Sequence, residues 1–288
     1  MSNEICPSCH SELSNGYLPW HLQCKSCGYE KANLKPTINL DAAHQLIDEN
    51  ARETGLQDLR KSNFKKLLKS IKSLKPDGGH LIDIGCAHGW FLEAAINDFD
   101  VFGLEPDKDI YDATARRDLP VRMGYFPDVL DDNEKFDVIV FNDVFEHIPD
   151  IEHTLASCYQ RLNEDGLLVL NLPSSYGIFY RLSKIFCFLG YPGFFERLWQ
   201  KGLPSPHLHY FNLDNIIFLL KNNKFDVKIK GKLSTLSFSG LYTRISYTGN
   251  LSIVTCALMY IGVVLILPIL KIMPSDIVYV IARRNYRQ

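Results

Sequence analysis

From about residue 80 onward, short apolar runs rich in β-branched residues alternate with stretches in which apolar positions recur every three or four residues. The runs at 80–84 (HLIDI), 101–104, 136–143 (FDVIVFND) and 166–172 (GLLVLNL) read as strands covered on both faces, because their apolar character is continuous rather than alternating, and 121–124 and 225–230 read as two further strands. Between them, Phe91, Leu92 and Ala95 give one helix an apolar face, and residues 107–117 read as a second helix. Ile151, Leu155, Cys158 and Leu162 mark a helix behind an Asp150 N-cap, and Ile216, Leu219 and Leu220 mark one behind Asn212. This β-α-β-α-β order predicts an α/β fold with a doubly wound parallel sheet.

Three stretches depart from that rhythm. Residues 34–75 are charged and helical in period, with Leu56, Leu59, Phe64, Leu67, Leu68, Ile71 and Leu74 on one face; the basic run at 60–75 reads as the solvated side. Residues 174–206 are rich in Phe, Tyr, Leu and Gly, with Arg181, Lys184, Arg197 and Lys201 interspersed, a composition suited to a cap that covers a pocket or rests on a membrane surface. Residues 251–270 (LSIVTCALMYIGVVLILPIL) carry no charge and are long enough to span a bilayer. Pro268 interrupts that run, and a further strand pattern follows at 276–284, so a buried or interfacial helix is expected rather than a spanning one.

With 288 residues, 46% of them hydrophobic, the chain can bury the core of one α/β domain and carry a small appendage. The net charge of −2 and a pI of about 6.5 give no global electrostatic reason to expect a nucleic-acid partner. The polar N-terminus lacks the pattern of a signal peptide, which makes a cytoplasmic, thiol-reducing setting the expectation. The cysteines then read as ligands and free thiols. Cys6 and Cys9 form one C-x2-C knuckle, Cys24 and Cys27 a second, with 14 residues between the pairs. That spacing predicts a structural Zn2+ ribbon over residues 1–33, because so short a segment needs metal to fold; a thioredoxin-like site would need one such pair on a βαβ framework.

The turn after the first strand of the domain is Asp83-x-Gly85-x-Ala87-x-Gly89, and Glu105 follows Gly85 by 20 residues at the end of the next strand. Dinucleotide sites use G-x-G-x-x-G; a carboxylate two residues before the first glycine repels a pyrophosphate and suits a ligand bearing an ammonium and a sulfonium. Glu105 stands where a carboxylate accepts hydrogen bonds from a ribose diol.

LIDIGCAHGWFLEAA followed by VFGLEPD resembles motif I and the acidic second-strand motif of class I S-adenosylmethionine-dependent methyltransferases, with Ala87 where the middle glycine usually stands. FNDVFEHIPD and HLHYF resemble elements of the ubiquinone-type O-methyltransferases and their relatives. The resemblance implies a Rossmann-like seven-stranded sheet closed by an antiparallel strand at 276–284. It implies S-adenosylmethionine held by Asp83, Gly85, Ala87, Gly89, Glu105 and Asn142, with Phe126 and Asp128 beside the adenine. Asp143, Glu146 and His147 would line the reacting methyl, and His147 or His209 would take a proton from a hydroxyl acceptor. His209 is expected to face the acceptor, and His207 to be a structural, hydrogen-bonded histidine. The domain map is a ribbon at 1–33, a helical linker at 34–75 and a methyltransferase domain at 76–288, with a cap at 174–210 and an apolar segment at 251–270. The expected partner is a small-molecule or lipid- or glycan-linked acceptor, with peripheral membrane contact through the apolar surface. The rival readings are a zinc-ribbon ribosomal-RNA methyltransferase and a non-catalytic, membrane-peripheral cofactor-binding protein.

Overall fold

The computed structural model describes residues 4–38, 49–236 and 253–285. Residues 39–48 of the expected linker helix, and 251–252 of the apolar segment, lie outside the described residues. The sheet is built from β4 (His80–Ile84), β5 (Asp100–Glu105), β6 (Val121–Met123), β7 (Phe136–Asn142), β8 (Leu162–Pro173), β10 (Phe225–Leu233) and β11 (Ile277–Arg284). Its order is β10-β11-β8-β7-β4-β5-β6, with the first five strands in sequence parallel and β11 antiparallel to both its neighbours. The expected seven-stranded sheet with a reversed closing strand is therefore present.

Helices cover both faces, which explains the unbroken apolar strands. Along β8, Leu168, Leu170 and Leu172 enter one core with Leu155 and Cys158 of α4 (Ile151–Arg161) and Ile216 and Leu219 of α7 (Leu213–Asn222). Leu167 and Val169 enter the other, with Phe64, Leu67 and Ile71 of α1 (Glu49–Leu74) and Phe91 and Leu92 of α2 (Trp90–Ala95). Each such side chain contributes about 1.5–3 kcal/mol by leaving water. α3 (Lys108–Ala115) follows β5. The Asp150 and Asn212 caps form as the sequence predicts: Asp150 accepts from the His153 amide, and Asn212 with Asn215 makes a full capping box.

The N-terminal segment forms β1 (Ser14–Asn15), β2 (His21–Gln23) and β3 (Glu30–Ala32), and the sheet they make is completed by β9 (His209–Tyr210) from the far end of the chain. The ribbon is thus fused to the domain by backbone pairing. It is also tied to the cap, α5 (Ile178–Phe188) and α6 (Gly193–Leu198). Buried Glu30 accepts from the Tyr180 hydroxyl at 2.7 Å and pairs with Lys184 at 2.7 Å and with His21 at 2.8 Å. Burial alone would raise the Glu30 carboxyl, but His21 and Lys184 outweigh it and hold the group below its ordinary value.

The apolar segment forms α8 (Ile253–Ile272) with Pro268 inside it, and the chain then returns directly to β11 beside β8. Among the described residues no helix is long and apolar enough to cross a membrane. Ile261, Leu265 and Ile272 of α8 are exposed.

Candidate functional site

The carboxyl ends of β4, β5 and β7 bring Asp83, Gly85, Ala87, Gly89, Glu105 and Asn142 to one edge. Asp83 sits between Gly103 of β5 and Val140 of β7 in the register. The turn after β4 runs through positive φ at Gly85 (66°), Ala87 (46°) and Gly89 (72°). At Gly85 a Cβ would lie 2.7 Å from Val144, and at Gly89 one would lie 2.4 Å from Leu119, so both positions need glycine for space as well as φ. Ala87 tolerates the same region at modest strain because its peptide is anchored twice: its amide donates to Glu105 Oε2 at 2.9 Å, and its carbonyl accepts from the Thr114 hydroxyl at 2.8 Å.

Two carboxylates on this edge are buried away from any cation. Asp83 is 1% exposed and accepts from the Asn142 amide at 3.1 Å. Its carboxyl is pushed up to about 8, by burial first and then by the Glu105 charge, against the Asn142 hydrogen bond. Glu105 is pushed up to about 7 by burial, opposed by the Asp107 and Ala87 amides that it accepts from. Asn142 Oδ1 is buried with no hydrogen-bond partner. Lone buried carboxylates beside an unmatched amide oxygen fit a polar, cationic ligand with hydroxyls. Such a ligand lowers the Asp83 pKa when it pairs with it. At pH 7, binding of a ligand that places an ammonium against Asp83 is therefore expected to release about one proton, and affinity falls as pH drops below 8, at up to about tenfold per unit. Calorimetry in buffers of different ionisation enthalpy measures this; zero proton release contradicts it.

Phe126 is half-buried, edge-on to Phe141 with ring centroids 5.9 Å apart, and Asp128 is exposed in the same loop after β6. Tyr125, which the sequence reading passed over, has its phenol pushed up by partial burial and by the charges of Glu105 and Asp107, which puts it at the cofactor edge.

Past β7 the chain turns through Asp143 at φ 54° into a short 3-10 turn, Phe145–His147. Glu146 is 1% exposed, and its carboxyl stays well above the ordinary range because of burial and then the Asp143 charge. Its Oε1 lies 4.0 Å from His147 Nε2 and 3.9 Å from His207 Nε2. These three groups present donor atoms within 4.8 Å of one another, a spacing at which side chains can share a cation. His147 Nδ1 lies 2.9 Å from the Pro206 carbonyl, which can only accept, and 3.2 Å from the Ser205 hydroxyl, which can accept as well as donate; a proton on Nδ1 serves both contacts and leaves the lone pair on Nε2.

Of the two histidines of HLHYF, His209 departs from its expected place, while His207 is buried and hydrogen-bonded. His209 is buried and both nitrogens are engaged: Nε2 donates to the Ile148 carbonyl at 2.8 Å, and Nδ1 accepts from the Tyr29 hydroxyl at 2.5 Å. Burial pushes its pKa down to about 4 against the Ile148 bond, so it stays neutral in the ribbon joint rather than facing an acceptor. His207 instead joins the acceptor edge, its ring 4.7 Å from that of His147 and its Nε2 accepting from Gln200 at 2.9 Å. The i, i+2 spacing put both on one side of an extended chain, and both are buried, but only pairing with β3 decides that His209 is the one joined to the ribbon.

Cys6, Cys9, Cys24 and Cys27 place four sulfurs within 4.8 Å of one another, with Cys6–Cys27 at 3.6 Å and Cys9–Cys24 at 3.4 Å. A tetrahedral Zn2+ with bonds near 2.3 Å needs sulfurs about 3.8 Å apart, so the set fits the metal with small adjustments.

A model of the methyltransferase domain matches residues 52–228. The mitochondrial ubiquinone biosynthesis O-methyltransferase of Bos taurus is 25% identical over 206 residues, 64% of this chain and 55% of that protein. Its namesake from Azorhizobium caulinodans is 27% identical over 123 residues, 40% of this chain and 48% of that one. The chain spans about half the length of these curated relatives. Among solved structures, an S-adenosylmethionine-dependent methyltransferase from Thermotoga maritima shares the fold, with a TM-score of 0.54 at 16% identity, over 83% of this chain and 96% of that one.

Proposed function

The chain belongs to the S-adenosylmethionine-dependent methyltransferases, and from that premise we propose that it methylates a hydroxyl on a small or lipid-linked acceptor. The observation that carries the reading is the placement of His147 just past the end of β7, with Nδ1 against the Pro206 carbonyl: a proton on Nδ1 satisfies that carbonyl and leaves Nε2 to accept a proton at the acceptor edge. Bound S-adenosylmethionine supplies a methyl carbon already activated by a sulfonium. Asp83 pairs with the ammonium end and Glu105 accepts from the ribose hydroxyls. His147 Nε2 would take the proton of the acceptor hydroxyl as methyl transfer proceeds. Most of the rate then comes from alignment and local electrostatics, since the electrophile needs no further activation.

The lipid-linked arm rests on the cap. Arg181, Lys184, Ile185 and Phe188 follow one stripe of α5 at helical spacing and line a cleft of about 750 Å³. The stripe runs from Arg181 and Lys184, the latter held by Glu30, to exposed apolar groups, a head-to-tail gradient suited to an amphiphile whose anionic head meets Arg181, and exposed Phe186, Leu189 and Tyr191 continue the apolar end toward a membrane surface.

The test is transfer of labelled methyl from S-adenosylmethionine to isolated membranes, sugar nucleotides and ribosomal RNA in parallel. Label is expected in the lipid or small-molecule fraction, reduced about 10²- to 10⁴-fold by His147→Ala. Label confined to RNA would replace the acceptor class, and undiminished transfer by His147→Ala would remove the proton-transfer step.

A further inference from the structure

Residues 205–209 form a strap between the ribbon and the turn that carries Glu146 and His147. On one side the strap bonds to three consecutive residues. The Leu208 amide donates to the Glu146 carbonyl at 2.8 Å, His147 Nδ1 donates to the Pro206 carbonyl at 2.9 Å, and His209 Nε2 donates to the Ile148 carbonyl at 2.8 Å. On the other side the strap belongs to the ribbon's sheet. Lys31 pairs with His209 and Glu30 with Tyr210, the Ala32 amide donates to the Leu208 carbonyl at 2.9 Å, and the Tyr29 hydroxyl donates to His209 Nδ1. Behind the strap, the side-chain amides of Asn212 and Asn215 both donate to the Cys27 carbonyl, so the second cysteine knuckle is gripped as well.

We propose that Tyr29 and His209 are positioning residues for methyl transfer, coupling the ribbon to the 146–148 turn so that the ribbon sets where His147 stands and which of its nitrogens carries the proton. A ribbon that only stabilised the fold would need no side chain reaching through the strap to that turn. Here one imidazole bridges a ribbon hydroxyl and an acceptor-edge carbonyl, and its two hydrogen bonds fix opposite protonation at its two nitrogens, so the link has direction. Displacing His147 by a fraction of an ångström changes alignment with the methyl, the quantity to which such a reaction is most sensitive. The inference rests on the reading of residues 142–147 as the acceptor edge.

The experiment uses the full chain with its metal and needs no acceptor. Long-range ¹H–¹⁵N spectra report the tautomer of His147, and calorimetry reports the affinity for S-adenosylhomocysteine. In the native protein the Nδ1–H form is expected to dominate by about ten to one. His209→Leu should bring the two tautomers to about parity while affinity changes less than about twofold. His209→Gln, whose terminal amide still donates to the Ile148 carbonyl, should restore the native spectrum. Tyr29→Phe removes a single oxygen and should give an intermediate ratio; it decides the matter if His209→Leu does not fold. Native His147 signals in both Tyr29→Phe and His209→Leu overturn the proposal. Failure of the native protein to bind S-adenosylhomocysteine would instead overturn the cofactor assignment.

Discussion

Glu105→Ala weakens S-adenosylmethionine binding by about 100-fold or more, the largest effect expected from one side chain at the cofactor edge. A carboxylate offers about four lone-pair positions. Two are taken by the Ala87 and Asp107 amides, which aim the group, and the remaining two point outward for a ribose diol. Two charge-assisted hydrogen bonds at roughly 1.5–3 kcal/mol each account for the loss. The substitution also leaves the Ala87 amide without its acceptor, so the turn at φ 46° relaxes and the loss exceeds that from the ribose contacts alone. Glu105→Gln separates the two: it keeps one carbonyl oxygen for a backbone amide but cannot accept at both positions, and should fall between. Calorimetry with S-adenosylhomocysteine decides; an affinity within about threefold of native for Glu105→Ala would remove Glu105 from the cofactor site.

Zn2+ held by the four thiols would supply the ribbon's folding energy, so treatment with a chelator, or Cys24→Ser, is expected to unfold residues 4–32 and to lower the melting temperature of the rest by about 10 °C. The ribbon has almost no core of its own. Cys6, Cys24 and Tyr29 are buried in the same cluster as Phe211 and Ile216 of the domain, so ribbon loss opens that cluster to water. It also takes Glu30 away from the cap, where buried Tyr180 and half-buried Lys184 lose their carboxylate partner. Metal analysis with scanning calorimetry tests this. An unchanged melting curve in the fully stripped protein would mean that the four thiols hold the ribbon without metal.

What the sequence discloses here follows a physical division. Strand order, the glycine turn, the two capped helices and the cysteine knuckles are local: a few adjacent residues dictate each, so spacing alone reveals them. The fusion of ribbon and domain is not local. Lys31 and His209 are far apart in the chain, and nothing in HLHYF says that its second histidine will be claimed by a tyrosine near the N-terminus. The same separation hides Glu30, which no local pattern marks and which is a buried tie to Tyr180 and Lys184. Of the acceptor edge, Asn142, Asp143, Glu146 and His147 could be placed from the end of one strand, whereas His207 could not, because its place depends on the strap's pairing.

The order of the sheet also bears on how the chain is made. β11 lies between β8 and β10, yet it leaves the ribosome after both and after the whole of α8. Until then β8 presents an open edge, β10 has no neighbour in the sheet, and a helix whose one charged residue is Lys271 emerges after them. During synthesis these surfaces are open to mispairing and to holdase chaperones, and the last strand to appear is the one that closes them.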